Sequence, residues 1–376
     1  MDVNNDGLLD LFVVNYLAWD IQNEPSCEAA PGRLDYCHPK LYKPTPNQLF
    51  LNNGDGTFRD VSAESGIRAH PGKGMGVGLA DFDLDGWMDI FVANDKLYNS
   101  LFHNKGDGKF EETAFRAGVA LAEEGHFISG MGVDARDVDN DGYPYIAFVA
   151  LDDETFPIFR NLGKGKFADI TRATGMAVLS APMAGYSPNL ADFDNDGWKD
   201  LFVSRGHVQS LGYATHTPVE QPNTVFRNVG GARFEPLTEQ AGFGAQRPSR
   251  HRGAAVGDLN GDGRVDVVVS ALGAPAEIWI NDSPGANHWL EFRLDGTRSN
   301  RDAIGARIKV TAGGKTQYNE VNFTSGYASS AAGPAHFGLG PAASASLVEI
   351  RWPSGTVQEL KDVTADRVVS IKEPAR

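Results

Sequence analysis

One nine-residue pattern recurs five times in this chain, and any fold proposed for it has to supply five equivalent places for that pattern. It reads DVNNDGLLD from Asp2, DFDLDGWMD from Asp81, DVDNDGYPY from Asp137, DFDNDGWKD from Asp192 and DLNGDGRVD from Asp258, with starts 79, 56, 55 and 66 residues apart. Each copy runs into a short β-type segment: LFVVN, IFVAN, IAFVA, LFVSR and VVVSA in turn. Four copies are preceded by a glycine-containing strand-like segment, such as GMGVGLA before Asp81, whereas the first copy starts at residue 2.

A second signature follows the first four loops: NQLFLNNGDGTFRDV from Asn47, NSLFHNKGDGKFEET from Asn99, FPIFRNLGKGKFADI from Phe156 and NTVFRNVGGARFEPL from Asn223. Apolar stretches flank Asn and Gly, which supply the positive-φ positions of a tight hairpin. Each unit therefore reads strand, acidic loop, strand, connection, strand, hairpin, strand. Four antiparallel strands in roughly 55–65 residues is one blade of a β-propeller. No segment carries a convincing helical period. The expected fold is all-β: a propeller of about five blades over residues 1–285, then a small β-sandwich-like domain over 286–376. The latter is expected to hold strands at Trp289–Leu294, Ala306–Thr311, Gln317–Phe323, Leu347–Trp352 and Val368–Ile371, with turns at Gly313-Gly314 and Pro353-Ser354-Gly355.

The loop chemistry suits a hard cation. Calcium takes six to eight oxygen ligands in flexible geometry, and acidic or amide side chains at positions 1, 3 and 5 converge in one turn. Gly at position 6 permits the bend, a carbonyl at position 7 and a carboxylate at position 9 complete the cage. An EF-hand is excluded, because its position 12 needs a Glu and here holds Val13, Val92, Phe148, Val203 or Val269. One such turn alone is equally an Asx-turn; five in register favour metal. Magnesium is the weaker candidate, since it demands a tighter octahedron.

Charge points the same way. The net charge is −15, made of −17 over residues 1–285 and +2 over 286–376. Such an acidic surface disfavours nucleic acid as a partner. The loops hold 17 Asp, and five bound Ca²⁺ would bring the net charge to about −5. Without metal, carboxylates crowd each turn.

These loops and hairpins resemble the FG-GAP or VCBS repeats of integrin-α-type propellers. The C-terminal segments NHWLEFRLDGTRSNRDAIGARIKV from Asn287, HFGLG from His336 and VEIRWPSGTVQEL from Val348 resemble an ASPIC/UnbV domain. The pairing spans nearly the whole chain. It implies four to five structural Ca²⁺ held by loop positions 1, 3, 5 and 9: Asp2, Asn4, Asp6 and Asp10; Asp81, Asp83, Asp85 and Asp89; Asp192, Asp194, Asp196 and Asp200; Asp258, Asn260, Asp262 and Asp266. The third loop offers Asp137, Asp139 and Asp141, but Tyr145 stands at the ninth position, so this site is expected to be the emptiest.

Cys27 and Cys37 share one Pro-rich insertion, Asn15–Pro46, which favours a disulfide and an oxidising, extracytoplasmic compartment. No apolar run approaches the roughly 18 residues of a membrane helix. Met1-Asp2-Val3-Asn4-Asn5-Asp6 offers neither the basic start nor the apolar stretch by which a signal peptide is read. The first repeat lacks its first strand and the last repeat its fourth, so the expectation is a fragment of a longer propeller with a signal peptide upstream. Connections alternate between the two ends of a meander. The acidic loops and hairpins therefore share one face, and the insertions Asn15–Pro46 and Arg205–Pro222 project from the other. Tyr16, Trp19, Tyr36 and Tyr42 on the first insertion, with His207 on the second, form the expected ligand face. The aromatic residues equally suit packing of the loop, and His207 is expected to be a solvated loop histidine. The functional expectation is an interaction or adhesion scaffold for a protein or glycan. The alternative is a propeller-based enzyme, a lyase or a carbon–carbon bond-forming catalyst, although no nucleophile motif, zinc motif or phosphate loop is present.

Overall fold

The computed structural model describes residues 1–122, 125–208, 217–231 and 233–375. Five antiparallel sheets follow one another along residues 11–279, each a simple meander. The second is Gly74–Ala80, Asp89–Asn94, Ser100–Asn104 and Phe110–Glu112; the third and fourth repeat this order from Val133 and from Gly185. The first sheet has three strands, Leu11–Val13, Gln48–Asn52 and Phe58–Asp60, and the fifth has three, from His251–Gly257 to Ala274–Trp279. Among the described residues helix is confined to short turns such as Ala114–Ala117 and Met176–Ser180. The chain is an all-β propeller of this meander type.

Its core lies between neighbouring blades rather than within one sheet. Val3, Leu49, Ile90 and Phe102 join the first two blades; Phe91, Phe148 and Phe159 join the second to the third; Tyr145, Leu201 and Phe226 join the third to the fourth. The second strands, such as Asp89–Asn94 and Asp200–Arg205, are buried along their whole length, because neighbouring blades cover both of their faces.

Two further sheets make up the C-terminal part. His288–Asp295 lies between Ala335–Gly340 and, in parallel, Arg367–Lys372. Facing them is the order Lys315–Glu320, Arg307–Ala312, Ser344–Arg351, Val357–Thr364. Trp352, Phe292, Phe337 and Ile308 fill the space between, as a sandwich requires. Ala335–Gly340 and Val357–Thr364 were not expected as strands. The first is rich in Gly and the second in charge, so neither carries a strong apolar alternation.

The sandwich sits on the acidic-loop face of the propeller. The Arg307 guanidinium donates to the Gly142 carbonyl, Lys199 Nζ to Tyr318 O at 3.1 Å, and His336 Nε2 approaches Gly263 O at 3.1 Å. A side chain on Gly263 would overlap Trp289, and one on Gly338 would overlap the Asp192 carboxylate. From this base, residues 322–330 run into the propeller itself. Asn322 Nδ2 donates to Leu79 O, and Gly326 exchanges backbone hydrogen bonds with Val133 at 2.7 and 3.2 Å. Tyr327 N donates to Ser187 Oγ at 3.1 Å, and its ring meets Tyr186 edge-on at 5.2 Å. This strap touches the first strands of the second, third and fourth blades.

Candidate functional site

Four of the five acidic loops fold back in the same way; in the third, Asp137 accepts only the position-6 amide, Gly142 N at 2.9 Å. The position-1 carboxylate accepts the amides of positions 5 and 6: Asp81 from Asp85 N at 3.0 Å and Gly86 N at 2.8 Å, Asp192 from Asp196 N at 3.1 Å and Gly197 N at 2.8 Å. The fold-back needs left-handed backbone at positions 4 and 6, such as Asn140 (φ 58°) and Gly142 (φ 93°). The position-9 carboxylate bridges two elements. Asp200 accepts Phe193 N at 3.2 Å in its own loop and Asn228 N at 2.8 Å in the hairpin beyond.

Three loops gather carboxylate oxygens within 4.8 Å of one another: Asp81, Asp83 and Asp89; Asp137, Asp139 and Asp141; Asp192, Asp194 and Asp200. Asp83 Oδ1, Asp137 Oδ1 and Asp139 Oδ1 are buried there and accept no hydrogen bond. Burial, with neighbouring carboxylates adding to it, pushes Asp81 up to about 7 and Asp192 up to about 8. Converging, unpartnered, desolvated oxygens are a donor set that fits a hard divalent cation. In the first and fifth loops position 3 is an amide. Asn4 Nδ2 donates to Asp6 Oδ2 at 2.9 Å and Asn260 Nδ2 to Asp262 Oδ2 at 3.1 Å. Asp2, Asp6 and Asp10, and likewise Asp258, Asp262 and Asp266, do not form such an acidic triad among the described residues.

In the third loop the Tyr145 hydroxyl takes up the space of the missing carboxylate and donates to Asp139 Oδ2 at 2.7 Å. The triad forms even so. A basic side chain from the blade's third strand leans on each loop with Asp at positions 1, 3 and 5: His103 on Asp89 at 3.2 Å, Arg160 on Asp139 at 2.8 Å, Arg227 on Asp194 at 3.0 Å. The equivalent strand positions beside the two loops with Asn at position 3 are Leu51 and Ile280.

The opposite face holds a cavity of about 830 Å³. Tyr16, Trp19, Tyr36 and Tyr42 from the first insertion line it, together with His207 from the fourth blade and Asp95 from the second. The Cys27–Cys37 disulfide brackets a small hairpin, Glu28–Ala30 with Arg33–Leu34, and so ties the aromatic insertion together. Trp19 is 59% exposed and Tyr36 75%. Tyr16 instead donates to Asp95 Oδ2 at 2.6 Å. His207 is not a solvated histidine: it is 2% exposed. Its Nδ1 meets the O of the neighbouring Val208 at 2.9 Å and its Nε2 meets Asp152 Oδ1 at 2.6 Å, a partner from another blade that no local sequence pattern announces. Residues 209–216 of the second insertion lie outside the described residues.

The FG-GAP-like repeat family matches residues 2–92, 81–148, 137–203 and 213–269, and the ASPIC and UnbV family matches residues 296–376. The chain is an FG-GAP-repeat protein with an ASPIC and UnbV domain. Cartilage acidic protein 1 of Mus musculus is 27% identical to this FG-GAP-repeat protein over 381 residues, covering 99% of this chain and 53% of its own length. The Homo sapiens protein of that name is also 27% identical over 381 residues, with 99% and 52% covered. The chain thus spans about half the length of the curated relatives it matches. A solved Agrocybe aegerita lectin structure, described as recognising non-reducing terminal N-acetylglucosamine, is 21% identical with a TM-score of 0.36, over 73% of this chain and 66% of that one.

Within the FG-GAP repeats, one structural residue was misread in sequence. The hairpin Asn residues do not adopt positive φ; the following glycines do, as at Gly106 (φ 76°). The Asn side chains clip blades together. Asn104 Nδ2 donates to Val3 O at 2.8 Å, Asn161 Nδ2 to Phe82 O at 2.7 Å, Asn228 Nδ2 to Val138 O at 3.1 Å and Asn281 Nδ2 to Phe193 O at 2.8 Å, each reaching position 2 of the preceding loop. Their recurrence at one register position was the available signal.

Proposed function

We propose that this chain is a calcium-stabilised recognition scaffold of an extracytoplasmic space, with metal on one face of the propeller and its protein or glycan ligand on the other. Calcium in the acidic loops would neutralise carboxylates that burial otherwise keeps protonated, and position 7 carbonyls together with the side chains at positions 1, 3, 5 and 9 would hold it. The disulfide supports the oxidising compartment. A single observation carries the recognition face: aromatic side chains from one insertion and polar side chains from four other blades line one cavity, remote from the acidic loops. An acid/base role for His207 is disfavoured, because both of its ring nitrogens already have partners within the protein. The test is removal of Ile21–Lys40. Ligand capture is lost while calcium-dependent melting is kept. Capture that survives this deletion, and fails instead on substitution in the C-terminal domain, refutes the placement.

A further inference from the structure

Six residues ahead of the acidic loop, the second, third and fourth blades place Met75, Met131 and Tyr186, and the fifth places Arg252. The blade fold itself therefore needs no charge there. Arg252 is half-buried in the cavity wall. Its Nη1 donates to His251 O at 2.7 Å and its Nη2 to His207 O at 3.3 Å, while the guanidinium lies over the Tyr186 ring, 3.8 Å from the centroid. These contacts fix its orientation without neutralising it: among the described residues no carboxylate pairs with Arg252. Its titratable neighbours are the Tyr186, Tyr327 and Tyr36 phenols and a second cation, Arg250. A partly desolvated charge without a counter-ion is costly to keep, and the guanidinium has further N–H groups to offer.

The rest of the lining says which anion fits. Its six carboxylates all have partners within the protein; Asp95 has Tyr16 and Ser129, Asp152 has His207 and Thr217, and Glu154 has Lys96. They still leave the cavity acidic, which disfavours a phosphate dianion or a polyacidic chain and admits a single carboxylate at the Arg252 end. The lining is also rich in acceptors and poor in donors, since the Tyr16 and Tyr42 hydroxyls are spent on Asp95 and Glu24. A peptide brings a carbonyl acceptor with nearly every amide donor. Sugar hydroxyls donate to such a wall, and sugar C–H faces cover exposed rings such as Trp19 and Tyr36.

Resting on the recognition-face reading above, we propose that the cavity binds an acidic oligosaccharide through one sugar carboxylate, which pairs with the Arg252 guanidinium while neighbouring sugar hydroxyls face the acidic wall. Tyr327 of the strap meets Tyr186 edge-on at 5.2 Å, so the C-terminal part props the ring on which Arg252 rests. The experiment uses the full chain in millimolar calcium on immobilised oligosaccharides that carry a single uronic acid, each beside its carboxyl-reduced counterpart. The uronate members bind, and reduction of the carboxylate to the alcohol weakens binding by about tenfold or more, the worth of a charged hydrogen bond. Arg252→Gln removes this preference, and Arg252→Lys, which keeps the charge but not the planar fork, retains part of it. The acid-against-alcohol comparison uses the parent protein alone, so it decides the ligand class even if Arg252→Gln fails to fold. Equal binding of acid and reduced members, no binding of any uronate member, or a preference that Arg252→Gln leaves intact overturns the assignment. Capture of an immobilised protein panel instead of sugar, lost on removal of Ile21–Lys40, also overturns it while leaving the recognition face standing.

Discussion

Position 4 of the acidic loop shows how much one side chain decides. Asn5 Nδ2 donates to Gly86 O at 3.1 Å, Asn140 Nδ2 to Gly197 O at 2.8 Å and Asn195 Nδ2 to Gly263 O at 3.0 Å, so each loop is tied to the next. The second loop has Leu84 there, in left-handed backbone (φ 62°) that suits Asn better than Leu. The Gly142 carbonyl that an Asn would reach is taken by Arg307 from the C-terminal sandwich. Arg307→Ala is expected to cost about 1.5–3 kcal/mol, the range for a hydrogen bond from a charged donor. In a Leu84→Asn background the loss shrinks, and Leu84→Asn alone raises stability. Denaturant unfolding of the four proteins measures the coupling, and equal losses in both backgrounds would show that Arg307 does not stand in for the missing amide. Titration belongs to this scale too. Asp137 is pushed up to about 6, Asp81 to about 7 and Asp192 to about 8, chiefly by burial, from an ordinary 3.8. Between those limits the metal-free folded chain binds more protons than the unfolded one, so its stability falls as pH rises from about 4 to about 8. Calcium needs these groups deprotonated, so its increment in melting temperature grows across the same window. A metal-free melting temperature that climbs from pH 5 to pH 8 would contradict this.

At the scale of elements, the strap of residues 322–330 is packed against the backbone of the third blade, where Gly132 also approaches Tyr186 O of the fourth. A side chain on Gly132 would lie 2.6 Å from Gly326 C and 2.7 Å from Tyr327 N, both backbone atoms. Gly132→Ala is therefore expected to displace the strap, seen as faster amide exchange in residues 322–330 and a lower melting temperature. Unchanged exchange there would show that the strap is not held by this contact. The repeated elements were legible in the sequence because their information is local: period-2 runs, Asp spacing and Gly turns fix each blade within about 60 residues. The strap was not. Thr324-Ser325-Gly326-Tyr327 reads as an unremarkable hydroxyl-rich loop, and its partners Val133, Tyr186 and Ser187 lie more than a hundred residues away. The same limit hid the Asp152–His207 pair and the Asn clips, whose side chains act between blades rather than within a turn.

For the whole molecule, the arrangement couples two halves that the sequence presents as separate. The acidic loops lie between the propeller and the sandwich; Gly142, Gly197 and Gly263 each approach a C-terminal residue, and the Asp81 amide faces Glu320. Burial, with Asp81 adding to it, pushes Glu320 up to about 8. Metal charge at this boundary would relieve carboxylate crowding in the loops and steady the surface on which the sandwich rests. The most direct test of a calcium-held scaffold is the melting temperature of chelator-stripped full chain, measured with and without millimolar calcium. The account predicts a clear rise with calcium, reversed by chelator and larger at pH 8 than at pH 5. A melting temperature that calcium and chelator both leave unchanged would contradict it.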